Sequence, residues 1–319
     1  MIQAYLGIDI AKEKFDAALL VGDKFKTKMF TNTLKGFNDF LIWTQKYAED
    51  IHFCLESSGT YGKGLATFLH EKNLRVSVVN PLKIKAFGQC ELSRNKTDQA
   101  DAKLISRYCK AMQPDIWEPA PEHVQELQDW VKRVDNLKKF KVQESNRLES
   151  ASKAVQKDIK ANIKLLEKRI IKIEKIIKEL INAHADLKEK ASLVSTIPGI
   201  GDTTAALIVA FLGTPEKFDN AKQMAAFVGL NPRQHQSGSS VFAKTRLSKV
   251  GDAKIRKALF LPAMVARHHN PIIKKFCDNL LAVGKAKMLI IGAAMRKLVH
   301  MIYGVLKNGK PFDPSYSHF

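Results

Sequence analysis

The sequence predicts a mixed α/β domain followed by an all-α remainder. Three observations predict it. Short alternating apolar segments and amphipathic segments succeed one another up to about residue 120. No glycine or proline interrupts Glu122 to Ile197, where apolar residues recur at heptad spacing. Beyond Pro198, apolar helical stretches flank one polar, basic stretch. These shifts divide the chain into residues 1–120, 121–192 and 193–319.

The 319 residues are 45% hydrophobic and 26% charged, a globular balance that excludes a disordered chain and suffices for two or three domains with sizeable cores. The formal charge of +20 and pI near 9.7 favour a polyanionic partner, nucleic acid before an anionic membrane surface. No apolar run approaches the roughly 20 residues of a membrane span, and no signal-peptide pattern precedes Asp9. A cytoplasmic nucleic-acid-binding protein with no membrane partner is expected. Cys54, Cys90, Cys109 and Cys277 lie far apart, without a CxxC pair or zinc-type spacing, as reduced structural thiols do. His268 and His269 are helix neighbours that face different directions, a poor metal pair.

Tyr5 to Ala11 (YLGIDIA) is the first strand, with Leu6, Ile8 and Ile10 on one face and Tyr5, Gly7 and Asp9 on the other. Lys14 to Leu20 follows as a second strand and, after the Gly22-Asp23 turn, Lys28 to Asn32 as a short third. Phe37, Phe40, Leu41 and Tyr47 line a helix. His52 to Glu56 is the fourth strand, about Gly62 to Asn73 a second helix, and Arg75 to Val79 the fifth strand, closed by Asn80-Pro81. In NKTDQADAKLI, Thr97 is placed to cap a last helix. Three strands, helix, strand, helix, strand, helix is the order of the RNase H-like fold.

A carboxylate on a core strand costs several kcal/mol, on the order of the penalty for a buried ion, unless a cation, a proton or hydrogen bonds offset it. Asp9 is therefore a neutralised structural acid or a metal ligand. Asp98 and Asp101 share one helix face, and alone they would only complement the helix dipole. The set changes the balance. In an RNase H-like sheet the first and fourth strands are adjacent and the closing helix packs over them, so Asp9, Glu56, Asp98 and Asp101 would converge. Such a cluster repels itself without cations. Hard divalent ions, Mg²⁺ with Mn²⁺ able to substitute, take oxygen ligands, and two of them about 4 Å apart clamp the attacking and leaving oxygens of a phosphodiester. Metal-dependent phosphoryl transfer on nucleic acid is expected. GTYGKG (Gly59 to Gly64) lacks the Walker and dinucleotide patterns and reads as a strand-to-helix turn. Asp16 reads as exposed or lysine-paired, without a catalytic role.

In the middle segment Ile159, Ile163, Leu166, Ile170, Ile173, Ile177 and Leu180 form a heptad seam. Leu127, Trp130, Val134 and Leu137 mark an earlier helix, and ESASK (Glu149 to Lys153) is where the chain turns back. A long helical hairpin or coiled coil is expected. Leu165, Ile171, Ile176 and Ile181 widen the stripe beyond a two-helix seam, which points to another subunit; a rigid spacer within one chain is the alternative.

Ile197 to Gly201 (IPGIG) before DTTAALIVAFLG is a helix-hairpin-helix signature, with Gly199 and Gly201 exposing backbone N–H groups to a phosphate. Residues 215–319 hold 18 Lys+Arg against 5 Asp+Glu. Between helical stretches, Gly229 to Phe260 reads as a polar loop tipped by Ser237, Gly238, Ser239 and Ser240, with Arg233, Lys244, Arg246, Lys249, Lys254 and Arg256 as candidate nucleic-acid contacts. A serine there can attack phosphorus if it is activated and cations hold the phosphate. A nuclease using water and a non-catalytic scaffold are the competing readings.

The ordered combination of GID (Gly7 to Asp9), Glu56, DxxD (Asp98, Asp101), a helical middle, PGIG (Pro198 to Gly201), GLNPRQ (Gly229 to Gln234) and Ser237-Gly238 resembles the DEDD transposases of bacterial insertion sequences, the family numbered one-ten, and within it the eleven-eleven subgroup. The resemblance covers nearly the whole chain. It implies a RuvC-like domain, a coiled-coil domain and a transposase domain, and recombination guided by a structured non-coding bridge RNA that pairs with donor and target DNA. It implies that Asp9, Glu56, Asp98 and Asp101 hold Mg²⁺, and that Ser237, with Ser239 or Ser240 as alternatives, forms a transient phosphoserine link to DNA. A serine from a partner subunit and assembly of a dimer or tetramer through the coiled coil are further implications.

Overall fold

The computed structural model describes residues 4–57, 59, 61–92, 97–237 and 241–315, with backbone alone for 235–237 and 241–244. The chain forms two compact units, residues 1–119 and 120–319.

The first unit is built on a five-stranded sheet: β1 (Ala4–Ile10), β2 (Lys14–Val21), β3 (Lys24–Thr31), β4 (Ile51–Glu56) and β5 (Arg75–Val79), in the order β3-β2-β1-β4-β5. The first three pair antiparallel, and β1, β4 and β5 run parallel, as the order of elements required. Leu6, Ile8 and Ile10 are buried on one face against Phe15, Phe40 and Phe53, where α1 (Leu34–Gln45) and α2 (Lys63–Glu71) cover the sheet.

Two boundaries differ from expectation. The third strand begins at Lys24 rather than Lys28, because Lys24, Lys26 and Lys28 occupy exposed positions of an edge strand, where burial is not needed to hold a strand. Asn80-Pro81 closes β5 and also opens a helix, α3 (Pro81–Cys90): Asn80 accepts the Leu82 N–H and Pro81 sits in the first turn. The other face carries α4 (Asp98–Met112). The chain after α4 returns along β5, where the Trp117 N–H donates to the Val76 carbonyl at 2.7 Å and the Ser77 hydroxyl reaches the Asp115 carbonyl at 2.7 Å.

In the second unit α5 (Glu122–Ser150) and α6 (Lys153–Ala183) form an antiparallel hairpin that turns at Ala151-Ser152, as ESASK predicted. Leu127, Val131, Val134 and Leu137 meet Leu166, Ile170, Ile173 and Ile177, flanked by Lys138–Glu174 and Lys141–Glu167 ion pairs, both at 2.7 Å. The same core runs on into α7 (Ala185–Ser195), α8 (Asp202–Leu212), α9 (Ala221–Val228), α10 (Ala253–Ala258), α11 (Phe260–His269), α12 (Pro271–Ala282) and α13 (Lys287–Asn308).

Contrary to expectation, α13 is long and apolar enough to cross a membrane, with a mean hydropathy of 1.5. Its apolarity has a local use: Ile290, Leu298, Val299, Met301 and Ile302 are wholly buried in the helical core. The polar stretch expected as a loop contains an antiparallel ribbon, β6 (Pro232–Ser237) and β7 (Val241–Leu247). Backbone pairing from Pro232–Leu247 to Ser237–Val241 holds the ribbon, and such pairing does not require apolar side chains. The four cysteines are free thiols.

Candidate active site and nucleic-acid interface

Asp9 lies next to the carboxyl end of β1, and Glu56 is the last residue of parallel β4. Each follows the Ile8–Leu55 register pair by one residue, so the sheet sets them side by side. The other two acids come from α4, whose start is fixed by Thr97, accepting the Ala100 N–H at 3.1 Å. Three devices then seat α4 on the sheet. Gly7 has no side chain, and a Cβ there would collide with the Ala102 carbonyl and the Ser106 N–H, so the helix backbone lies directly on β1. The Ser106 hydroxyl donates to the Tyr5 carbonyl at 2.9 Å, and the Gln99 amide donates to Thr27 Oγ1 at 2.6 Å. Asp98 and Asp101 in the first turn are thereby carried to Asp9.

The electrostatics register that approach. Burial, followed by the charges of Asp101, Asp98, Glu56 and Asp16, pushes the Asp9 carboxyl up to about 6. The sheet adds a fifth carboxylate: Asp16 on β2 is the register partner of Asp9. Its own proton affinity is raised by burial and Asp98, against the pull of Lys14. The Lys14 ammonium stands 3.4 Å from Asp98 and 4.0 Å from Asp16, so Asp16 is lysine-paired as expected and also faces the cluster. An all-oxygen donor set whose charges resist coexistence fits hard divalent cations. Sequence reasoning passed over Gly7 and Ser106 as positioning residues. A serine on the buried stripe of an amphipathic helix was the available signal.

The basic candidates fall on the second unit. Arg233 and Arg246 are exposed register partners on the β6–β7 ribbon. Like charges directly opposite each other cost stability, so the pair suits an anionic partner. Lys249 and Lys254 are exposed, whereas Arg256 is partly spent internally, donating from Nη1 to the Val228 carbonyl at 2.8 Å. Lys244 lies on β7. Ser237 is the last paired residue of β6, opposite Val241, while Ser239 and Ser240 lie outside the described residues. Gly199 has φ +107° and is wedged against α11, where a Cβ would meet Ala266 Cβ and the Pro262 carbonyl at 2.8 Å; Gly201 opens α8 facing free space.

Two family models match the chain: one for a DEDD transposase of IS110 elements over residues 6–155, and one for the transposase IS116/IS110/IS902 family over residues 191–278. A pilin gene-inverting protein of Moraxella bovis is 35% identical over 98% of each chain. The chain belongs to the IS110 family of DEDD transposases. The Moraxella lacunata pilin gene-inverting protein is 34% identical over 98% of each chain, and the transposase for insertion sequence element IS1111A of Coxiella burnetii is 24% identical over 83% of this chain and 78% of its own. This IS110-family transposase is accordingly a DNA recombinase of an insertion sequence, its substrate is DNA, and its family points to divalent-metal use.

Proposed function

We propose that this transposase cuts and rejoins DNA by two groups of residues acting on one phosphodiester: the acids Asp9, Glu56, Asp98 and Asp101, holding two Mg²⁺ ions, and the nucleophile Ser237. The observation that carries the reading is the raised proton affinity of Asp9, which arises from its burial and from the other acids of the set. The four carboxylates would hold the metal ions, which would supply positive charge to offset the negative charge of the reacting phosphodiester. The Ser237 hydroxyl oxygen bonds to phosphorus as one phosphorus–deoxyribose oxygen bond breaks. The hydroxyl proton is lost and the leaving oxygen takes one up. One phosphoester replaces another, so rejoining is the same exchange run with a new strand's oxygen.

Arg233, Lys244, Arg246, Lys249, Lys254 and Arg256 bind the nucleic-acid backbone, and the IPGIG turn at Gly199 and Gly201 is a helix-hairpin-helix contact. A structured non-coding RNA guides donor and target selection, a reading that rests on family membership and on the charge of +20. The hairpin serves as a coiled coil that assembles a dimer or tetramer, supported by the exposed Leu165 and Ile171 on α6. The protein acts in the cytoplasm.

The test combines junction DNA, Mg²⁺ and the cognate RNA with wild type, Ser237→Ala and Asp101→Asn, resolved on a denaturing gel. An RNA-dependent protein–DNA adduct, lost in both variants, is expected. Cleavage without an adduct that survives Ser237→Ala but not Asp101→Asn would instead identify a metal nuclease using water.

A second reading, site-specific inversion, is favoured by the two full-length relatives named as pilin gene-inverting proteins. It uses the same chemistry and differs in product: inverted sites on one molecule exchange the segment between them without an inserted element.

A further inference from the structure

A cluster outside the acid site has the makings of a second metal centre. His123 lies in the first turn of α5, His184 is the residue that joins α6 to α7, and Asp186 stands in the first turn of α7. One nitrogen from each ring and a carboxylate oxygen lie mutually within 4.8 Å, a trio unmatched among the described residues. His123 Nε2 is 3.1 Å from Asp186 Oδ2, and the two imidazoles stack with centroids 4.4 Å apart and planes 12° apart. A histidine–aspartate hydrogen bond needs one ring. The second ring makes no side-chain hydrogen bond among the described residues, yet it is held against the first.

We propose that His123, His184 and Asp186 bind a single borderline-soft divalent ion of the Zn²⁺ or Co²⁺ type, with water completing its coordination. Two imidazole nitrogens and one carboxylate oxygen suit such ions, whereas Mg²⁺ prefers oxygen alone. Bonds of about 2.0 Å to a tetrahedral ion set ligand atoms roughly 3.3 Å apart. The trio lies within 4.8 Å, up to about 1.5 Å wider than that spacing, and because each nitrogen lone pair lies in its ring plane, ion binding turns one imidazole out of the 12° stack. The ligands come from the start of α5 and from the α6–α7 joint, so the bound ion ties the open end of the helical hairpin to the helix that follows it. Its chemistry separates it from the four-acid site.

The test is Co²⁺ titration of the full-length protein, followed by visible d–d absorption. Expected is a saturable band of tetrahedral intensity, displaced by Zn²⁺ but not by excess Mg²⁺, and unchanged in the Asp9→Asn/Asp101→Asn double variant. Affinity should fall in Asp186→Asn and vanish in His184→Ala; His184→Gln serves the same purpose if the alanine variant does not fold. Absence of a band, a band that survives in the His184 variant, or one that disappears with the four-acid site would overturn the proposal.

Discussion

Asp9 and Asp16 face each other as direct register partners across the antiparallel β1–β2 pair. Two carboxylates at such a position repel, and among the described residues the Lys14 ammonium forms ion pairs with both Asp16 and Asp98. Asp16→Asn removes one source of the raised proton affinity of Asp9. The Asp9 titration should therefore move down from about 6, followed by carboxyl NMR in metal-free protein, while strand joining persists.

Metal-free protein should lose stability with rising pH. The Asp9 carboxyl titrates near 6 in the fold against 3.8 when unperturbed, so the folded state holds the extra proton between those values. Stability contributed by that proton is present at low pH and is lost as pH climbs from about 4 to about 6. Thermal melts in chelator across this window should show the decline, Mg²⁺ should restore what is lost, and Asp9→Asn should flatten the curve.

Gly7→Ala should lift α4 from the sheet. The added methyl meets the helix backbone rather than a movable side chain, and overpacking of that kind costs about 1–3 kcal/mol. Denaturant unfolding should report the loss, and strand joining should fall beyond what instability explains, because Asp98 and Asp101 ride on the displaced helix. Equal losses in both assays would contradict this.

Replacing Arg233 or Arg246 by alanine should weaken DNA binding and lower the salt slope by about 1. Relief of the like-charge pair should at the same time stabilise the ribbon by roughly 0.2–1 kcal/mol. Affinity measured across a salt series and a thermal melt test the two halves separately.

Leu165→Glu and Ile171→Glu change side chains that are 54% and 67% exposed on α6. Folding should be altered by no more than about 0.5 kcal/mol, while light scattering should report a smaller oligomer. An unchanged mass would remove the hairpin from assembly.

Much of the first unit was legible because alternation along YLGIDIA and HFCLE marks half-buried strands, and because two parallel strands with acids at or next to their carboxyl ends announce where ligands bind. What escaped was held by cues other than apolar periodicity. Lys24 to Thr27 joins a strand through backbone pairing at a lysine-bearing edge. The Asn80-Pro81 pair both stops a strand and starts a helix. The ribbon bearing Ser237 has too little apolar content to separate it from a loop. Gly7 and Ser106 matter through a helix about 100 residues away in sequence. In the second unit the heptad spacing picked out Leu127, Val134, Leu137, Leu166, Ile170, Ile173 and Ile177, but on α5 it named Trp130, which is half-buried, where Val131 is the buried residue. The long apolar face of α13 shows the opposite failure: its summed hydropathy is that of a membrane span, and only the packing around it reveals a core helix.

Both borders of the five-stranded sheet are closed to extension. At β3 the charged Lys24, Lys26 and Lys28 line the margin, and at β5 the protein's own returning chain has already taken the Val76 carbonyl. An approaching strand would meet electrostatic repulsion on one side and, on the other, the returning chain already bonded at Val76. Both features work against edge-to-edge pairing of one copy's sheet with another's.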